Sequence, residues 1–140
     1  MDFESVERAL VLELKKLSGL GSVEPYAGQL EAEVEGMALR FPAAFVLYGG
    51  SAFRELDGLN HEEEALFSVL VAARARRGTG QKAGAYAALK AVLGALANNA
   101  LGLPMERLTP VRSSLLSATG GIVIYALEFK TSYDREFPLA

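Results

Sequence analysis

Apolar residues recur every three or four positions at the start of the chain: Phe3, Val6, Leu10, Leu14 and Leu17. That spacing predicts an amphipathic helix, with Asp2 as its N-cap and Gly19 and Gly21 past its end. Residues 23–40 lose the period. Pro25, Gly28 and Gly36 interrupt glutamates that alternate with apolar residues (Glu31, Glu33, Glu35 around Ala32 and Val34), so a short strand, a helical turn or a loop each fit. Pro42 then opens a strand over 43–48. Gly49-Gly50 signals a turn or a bulge, and residues 51–56 read as the return strand of a hairpin, closed by Asp57-Gly58.

Residues 62–74 form the longest predicted strand. Ala65, Phe67, Val69, Val71 and Ala73 make an apolar face, and Glu64, Leu66, Ser68, Leu70 and Ala72 a mixed one, as in a sheet covered mainly on one side. A second helix is predicted over 84–101. Its core face is Ala85, Leu89, Val92, Leu93, Leu96 and Ala100, beside a ridge of small residues, Ala87, Ala91, Gly94 and Asn98. A connector with Pro104 and Pro110 leads to a last hairpin, 113–118 and 122–131, over Gly120-Gly121. Residues 132–140 read as an exposed, flexible tail. The predicted fold is one α+β domain over 1–140: an antiparallel sheet of four to five strands with two main helices on one face.

Composition narrows the function classes. The chain has 140 residues and is 51% hydrophobic and 22% charged, enough for one domain with a proper core. It lacks cysteine, which excludes disulfides, thiolate metal sites and cysteine nucleophiles. Its net charge of −3 argues against a surface that binds duplex nucleic acid broadly. Residues 1–5 are acidic with no apolar stretch, so no signal peptide is expected there. The longest apolar tract, 83–103, is broken by Lys90, Asn98 and Asn99 and reads as a buried helix rather than a membrane span.

The segment from Arg74 to Tyr86 offers the most local chemistry: a basic, glycine-rich connector between a strand and a helix. A phosphate-binding loop needs a glycine before its lysine and a hydroxyl after it. Here Gln81 precedes Lys82 and Ala83 follows. Gly78, Gly80 and Ala83 match Gly-x-Gly-x-x-Ala, but that fingerprint also needs a parallel βαβ unit and an acidic residue ending the second strand. Glu106 falls in the proline-flanked connector instead. The cluster Arg74, Arg76, Arg77 and Lys82 is either solvated surface or a partner contact. As a contact it would suit the acidic groups Glu62, Glu63 and Glu64, or Glu31, Glu33 and Glu35, of a second copy, arranged head to tail. His61 is the sole histidine. It precedes three glutamates, too little for a metal site, because alternate strand residues point to opposite faces. Carboxylates are plentiful and an acid–base pair among them stays open, but no spacing selects one, so the residues themselves assign no catalytic, cofactor or metal site.

Several of these residues fit one family. Arg77-Gly78 with Gly84-Ala85-Tyr86, Leu93 with Leu96, Leu101-Gly102-Leu103, Leu108-x-Pro110 and the terminal Tyr125-x-Leu127-x-Phe129-x-Thr131 resemble Mu-like phage tail proteins related to tail terminators. The N-terminal helix and the strand around 45–47 fit the same layout. The resemblance implies a structural subunit, without catalytic site or cofactor, that assembles into a ring expected to be a hexamer. Such a ring caps the tail tube, stops polymerisation and readies the tail for head joining. The implied partners are other copies, the tail tube protein, the sheath protein where the tail is contractile, and head–tail connector proteins. DNA would pass through the lumen without specific binding, no membrane is involved, and the location is the virion tail, assembled in the host cytoplasm. Arg74, Arg76, Arg77, Lys82, Glu62, Glu63, Glu64, Tyr133 and Phe137 are the candidate interface residues. The alternatives are a head–tail neck adaptor and, further off, a phosphate-binding domain using the loop between Gly78 and Gly84.

Overall fold

A computed structural model describes residues 1–31, 39–75 and 84–140. Helix α1 spans Phe3–Leu14. The Asp2 side chain accepts from the Ser5 backbone N–H at 3.1 Å, as the capping pattern predicts. Strand β1 (Ser22–Pro25) follows, then β2 (Ala43–Glu55) and β3 (Asn60–Arg74). Helix α2 (Ala85–Leu96) leads to β4 (Thr109–Thr119) and β5 (Ile122–Glu136). These strands form one sheet in the order β1-β2-β3-β5-β4. The fold is α+β and mostly antiparallel. The exception is β1, which lies in the ambiguous segment and pairs in parallel with β2.

The two helices share one face of the sheet. Val6, Leu10 and Leu14 of α1 and Ala88, Val92 and Leu96 of α2 pack onto Val46, Phe67, Val69, Leu127 and Phe129. Phe67 and Phe129 stand opposite each other in the register, and Phe3 of α1 stacks on Tyr48 at 4.3 Å beside them. All five residues of the predicted apolar face of β3 are buried. Among the described residues, the other face is covered at one end only. There Ala43, Phe45, Leu70 and Ala126 lie beneath Tyr26, Leu30, Leu39 and Phe41. Gly21 closes this covering segment against β2. An added Cβ there would lie 2.5 Å from the Arg40 carbonyl oxygen, so only glycine fits.

Three expectations change. The hairpin expected over 43–56 is a single strand, because Gly49-Gly50 is a bulge rather than a turn. Tyr48 pairs with Phe67 and Gly50 with Leu66, leaving Gly49 as the extra residue. The turn lies one hairpin later, where the Asp57 carboxylate accepts from the Leu59 and Asn60 backbone N–H groups. Helix α2 ends at Leu96 rather than near Leu101. Ala97 is extended and Asn98 left-handed (φ 61°). The Asn99 side chain donates to the Ala95 carbonyl and accepts from Leu101 N–H, capping the helix end. Finally, residues 132–136 belong to β5 rather than to a tail, and pair with residues 60–64 of β3.

Candidate functional site

The candidate interface residues that the structure describes sort to the two ends of β3. Arg74 closes the strand at one end, exposed, with its guanidinium 4.9 Å from the centre of the Phe41 ring. Arg76, Arg77 and Lys82 lie outside the described residues, as does most of the loop between Gly78 and Gly84. Helix α2, which follows that loop, leads to β4 at the far edge of the sheet, separated from β3 by β5. The parallel βαβ neighbour that a dinucleotide fingerprint requires is therefore not built here. The ridge beside the α2 core face is open: Ala87, Gly94 and Asn98 are exposed.

Glu62, Glu63 and Glu64 mark the other end, twelve residues from Arg74 along the strand, or about 40 Å at strand rise. They do not act as one cluster. Glu62 faces the open side and meets Arg54 at 3.3 Å. Glu64 is exposed on that same side. Glu63 turns inward and is 0% exposed. It accepts from Arg135 at 2.8 Å and from the Ser51 hydroxyl at 2.6 Å, and Ser51 in turn bonds the Tyr48 hydroxyl. Tyr133 is also buried, opposite Glu63 in the register. Burial first, and then the neighbouring Glu63 carboxylate, push its phenol far above the ordinary tyrosine range; Glu63 lies near the hydroxyl, but among the described residues no partner meets hydrogen-bond geometry. Glu63 and Tyr133 are thus removed from the subunit's outer surface, contrary to expectation. The β pairing requires this: both project to the helix side, under the connector, where Thr131 donates to the Glu106 carbonyl and Glu106 N–H donates to Ser132.

Phe137, by contrast, stays at the surface and gathers neighbours. Phe53 approaches it edge-on at 5.9 Å and His61 at 5.2 Å, while the Arg135 guanidinium lies 5.0 Å from the ring centre. Phe53 and Arg135 were not foreseen. The Gly49 bulge shifts the strand's parity, so Phe53 joins the Glu63 and Tyr133 rank instead of the rank of Phe45 and Leu47. The local signal, Gly49-Gly50, fits a turn as well as a bulge, so it does not report that shift by itself.

Strand β4 offers a further surface that no motif in the sequence marks. The eleven residues of β4 form the sheet's outer edge and are mostly exposed. Two register shifts make Val111 and Leu116 bulged residues, and both are exposed together with Leu115. Among the described residues, no group of three or more His, Asp or Glu is placed to hold a metal ion, and no helix is long and apolar enough to cross a membrane.

A family model described as "Bacteriophage Mu, Gp37" matches residues 3–134. No curated protein matches by sequence. Among solved structures, a chain of the "Virion of native gene transfer agent (GTA) particle" superposes with a TM-score of 0.64 at 17% identity, over 93% of this chain and 95% of that one. At that identity the likeness establishes a shared fold. The family match extends from the first helix into the last strand, and so the chain is a structural protein of the phage tail and belongs to the bacteriophage Mu Gp37 family.

Proposed function

We propose that this protein is the tail terminator: a ring of identical subunits, six by the family resemblance, seated on the end of the tail tube. It stops polymerisation of the tube, and of the sheath where there is one, and presents a surface for head joining. The observation that carries this reading is the family match over residues 3–134. A ring needs lateral contacts between copies and axial contacts with unlike partners. The long, exposed β4 edge with Val111, Leu115 and Leu116 suits the first role, since an open edge strand is a template for association. The charged ends of β3 lie along the other axis of the molecule. We assign the Arg74 end and the acidic end (Glu62, Glu64, with Phe137) to the tube on one side and head–tail connector proteins on the other, and keep Arg76, Arg77 and Lys82 as candidate contacts by sequence alone. DNA would traverse the ring without specific contacts.

The decisive experiment is electron microscopy of particles assembled without the protein. Overlong, irregular tails that fail to join heads are expected. Tails of uniform length attached to heads would refute the terminator role. Uniform tails that stay unattached would favour the second reading, a neck adaptor.

A further inference from the structure

The last ranks of β2, β3 and β5 form a tip with two unlike sides. On the helix-facing side, Phe53 (54% exposed) and Phe137 (39%) meet each other, His61 and Arg135. Leu56 and Leu59 at the turn add exposed apolar surface. On the open side, Glu62 stands opposite Asp134, Glu64 opposite Ser132, and Asn60 opposite Glu136, a row of carboxylates. Residues 54–64 and 132–137 hold seven carboxylates against two guanidiniums, a net charge of −5 with His61 neutral. The whole chain carries −3, so the rest of the molecule is net positive. One of those guanidiniums, Arg135, is already committed to Glu63 at 2.8 Å.

The tip is also held in place. Phe137 N–H donates to the Leu59 carbonyl at 2.9 Å, and the Glu63–Arg135 pair ties β3 to β5 beneath the aromatic rings. Aromatic side chains fixed in this way lose little conformational freedom when they bind, which is what interface anchors need. A polyanion would be repelled by the carboxylates. Two tips brought together would set one −5 end against another.

We propose that this tip is a docking surface for a different tail protein, one that presents an apolar pocket rimmed by lysine or arginine, with Phe53 and Phe137 as the anchors. The proposal builds on the tail-assembly role and specifies which end of the subunit meets an unlike partner. To test it, Phe53 is replaced by the photo-cross-linking residue p-benzoylphenylalanine, and particles assembled with that variant are irradiated. The expected result is an adduct with one protein other than this chain, on a peptide containing lysine or arginine. Adding Glu62→Gln, Glu64→Gln and Asp134→Asn should lower the adduct yield at least fivefold without moving the melting transition. An adduct with a second copy, an adduct on a peptide without basic residues, an unchanged yield after neutralisation, or no adduct would each overturn the proposal. Tail length in particles lacking the protein separates the two ideas. Overlong tails in the deletion, with no adduct in the Phe53 variant, leave the terminator role standing and the tip proposal refuted. Normal tails in the deletion, with the adduct formed, do the reverse.

Discussion

Glu63 carries the most consequence of any single residue. Its carboxylate is fully buried and satisfied by Arg135 and Ser51. Removing one member of such a pair strands the other charge, which typically costs several kcal/mol. The Arg135 side chain keeps 23% exposure, so water relieves part of that cost. Glu63→Ala is therefore expected to lose about 2–3 kcal/mol in chemical denaturation. Replacing Glu63 and Arg135 together with leucine should recover much of the loss, because no unpaired charge remains. Tyr133 gives a test by pH. Its phenol is raised by burial and then by Glu63, so it stays protonated in the folded chain when an unfolded tyrosine, near 10.0, ionises. The stability it contributes is full below that value and falls as pH rises beyond it. Tyr26 and Tyr125 are also raised, burial being the first cause, and share the effect. Tyr133→Phe should thus move the alkaline unfolding midpoint upward, while stability at neutral pH holds or improves, since the lost hydroxyl had no partner. Neither behaviour was visible in the sequence, where Glu63 is one of three consecutive glutamates and Tyr133 one aromatic in an apparent tail.

Among the elements, β2 shows how much one residue can decide. Its first half projects Ala44, Val46 and Tyr48 toward the helices. Past the Gly49 bulge the odd-numbered residues do so instead, including Ser51 and Phe53, which stand opposite the inward-facing Ala65 and Glu63. Gly50 sustains this with φ +114°, a backbone that L side chains rarely adopt. Gly50→Ala should cost about 1–3 kcal/mol by denaturation. Gly58→Ala, with nothing within 4 Å of the added methyl and no left-handed backbone, should stay within about 0.5 kcal/mol. The amphipathic period of α1 and its Asp2 cap were legible because both are local. The bulge was not, since Gly-Gly satisfies a turn and a bulge equally well. Only pairing with β3 distinguishes them. The early end of α2 has a similar origin: Asn98 N–H bonds Leu108, and Leu108 N–H returns to Asn99.

At the scale of the whole molecule, surfaces matter more than any cavity. The subunit offers an exposed edge at β4 that carries Val111, Leu115 and Leu116, a basic residue at the Arg74 end and an acidic aromatic end at Phe137. If β4 closes the ring, then Leu116→Lys should abolish multimers in sedimentation of tail-derived complexes. The melting transition should not change, because Leu116 is 56% exposed and contributes little to the core. Persistence of the same multimer would remove β4 from the lateral contact. The tail role could be anticipated from scattered glycine and apolar positions through the family they resemble, and the family match supports it. The arrangement of the surfaces could not, because it depends on which strands end up at the edge.

The sequence by itself determined the α+β class, the amphipathic helices, the apolar face of β3 and the final hairpin. These follow from periodicity and turn residues within a few positions of one another. Tertiary structure alone decided that β1 joins in parallel, that β4 is an edge, that Glu63 and Tyr133 turn inward, and that Phe53, His61, Arg135 and Phe137 meet. Each of these depends on register between strands distant in sequence, and a shift of one residue sends every side chain in a strand to the opposite face.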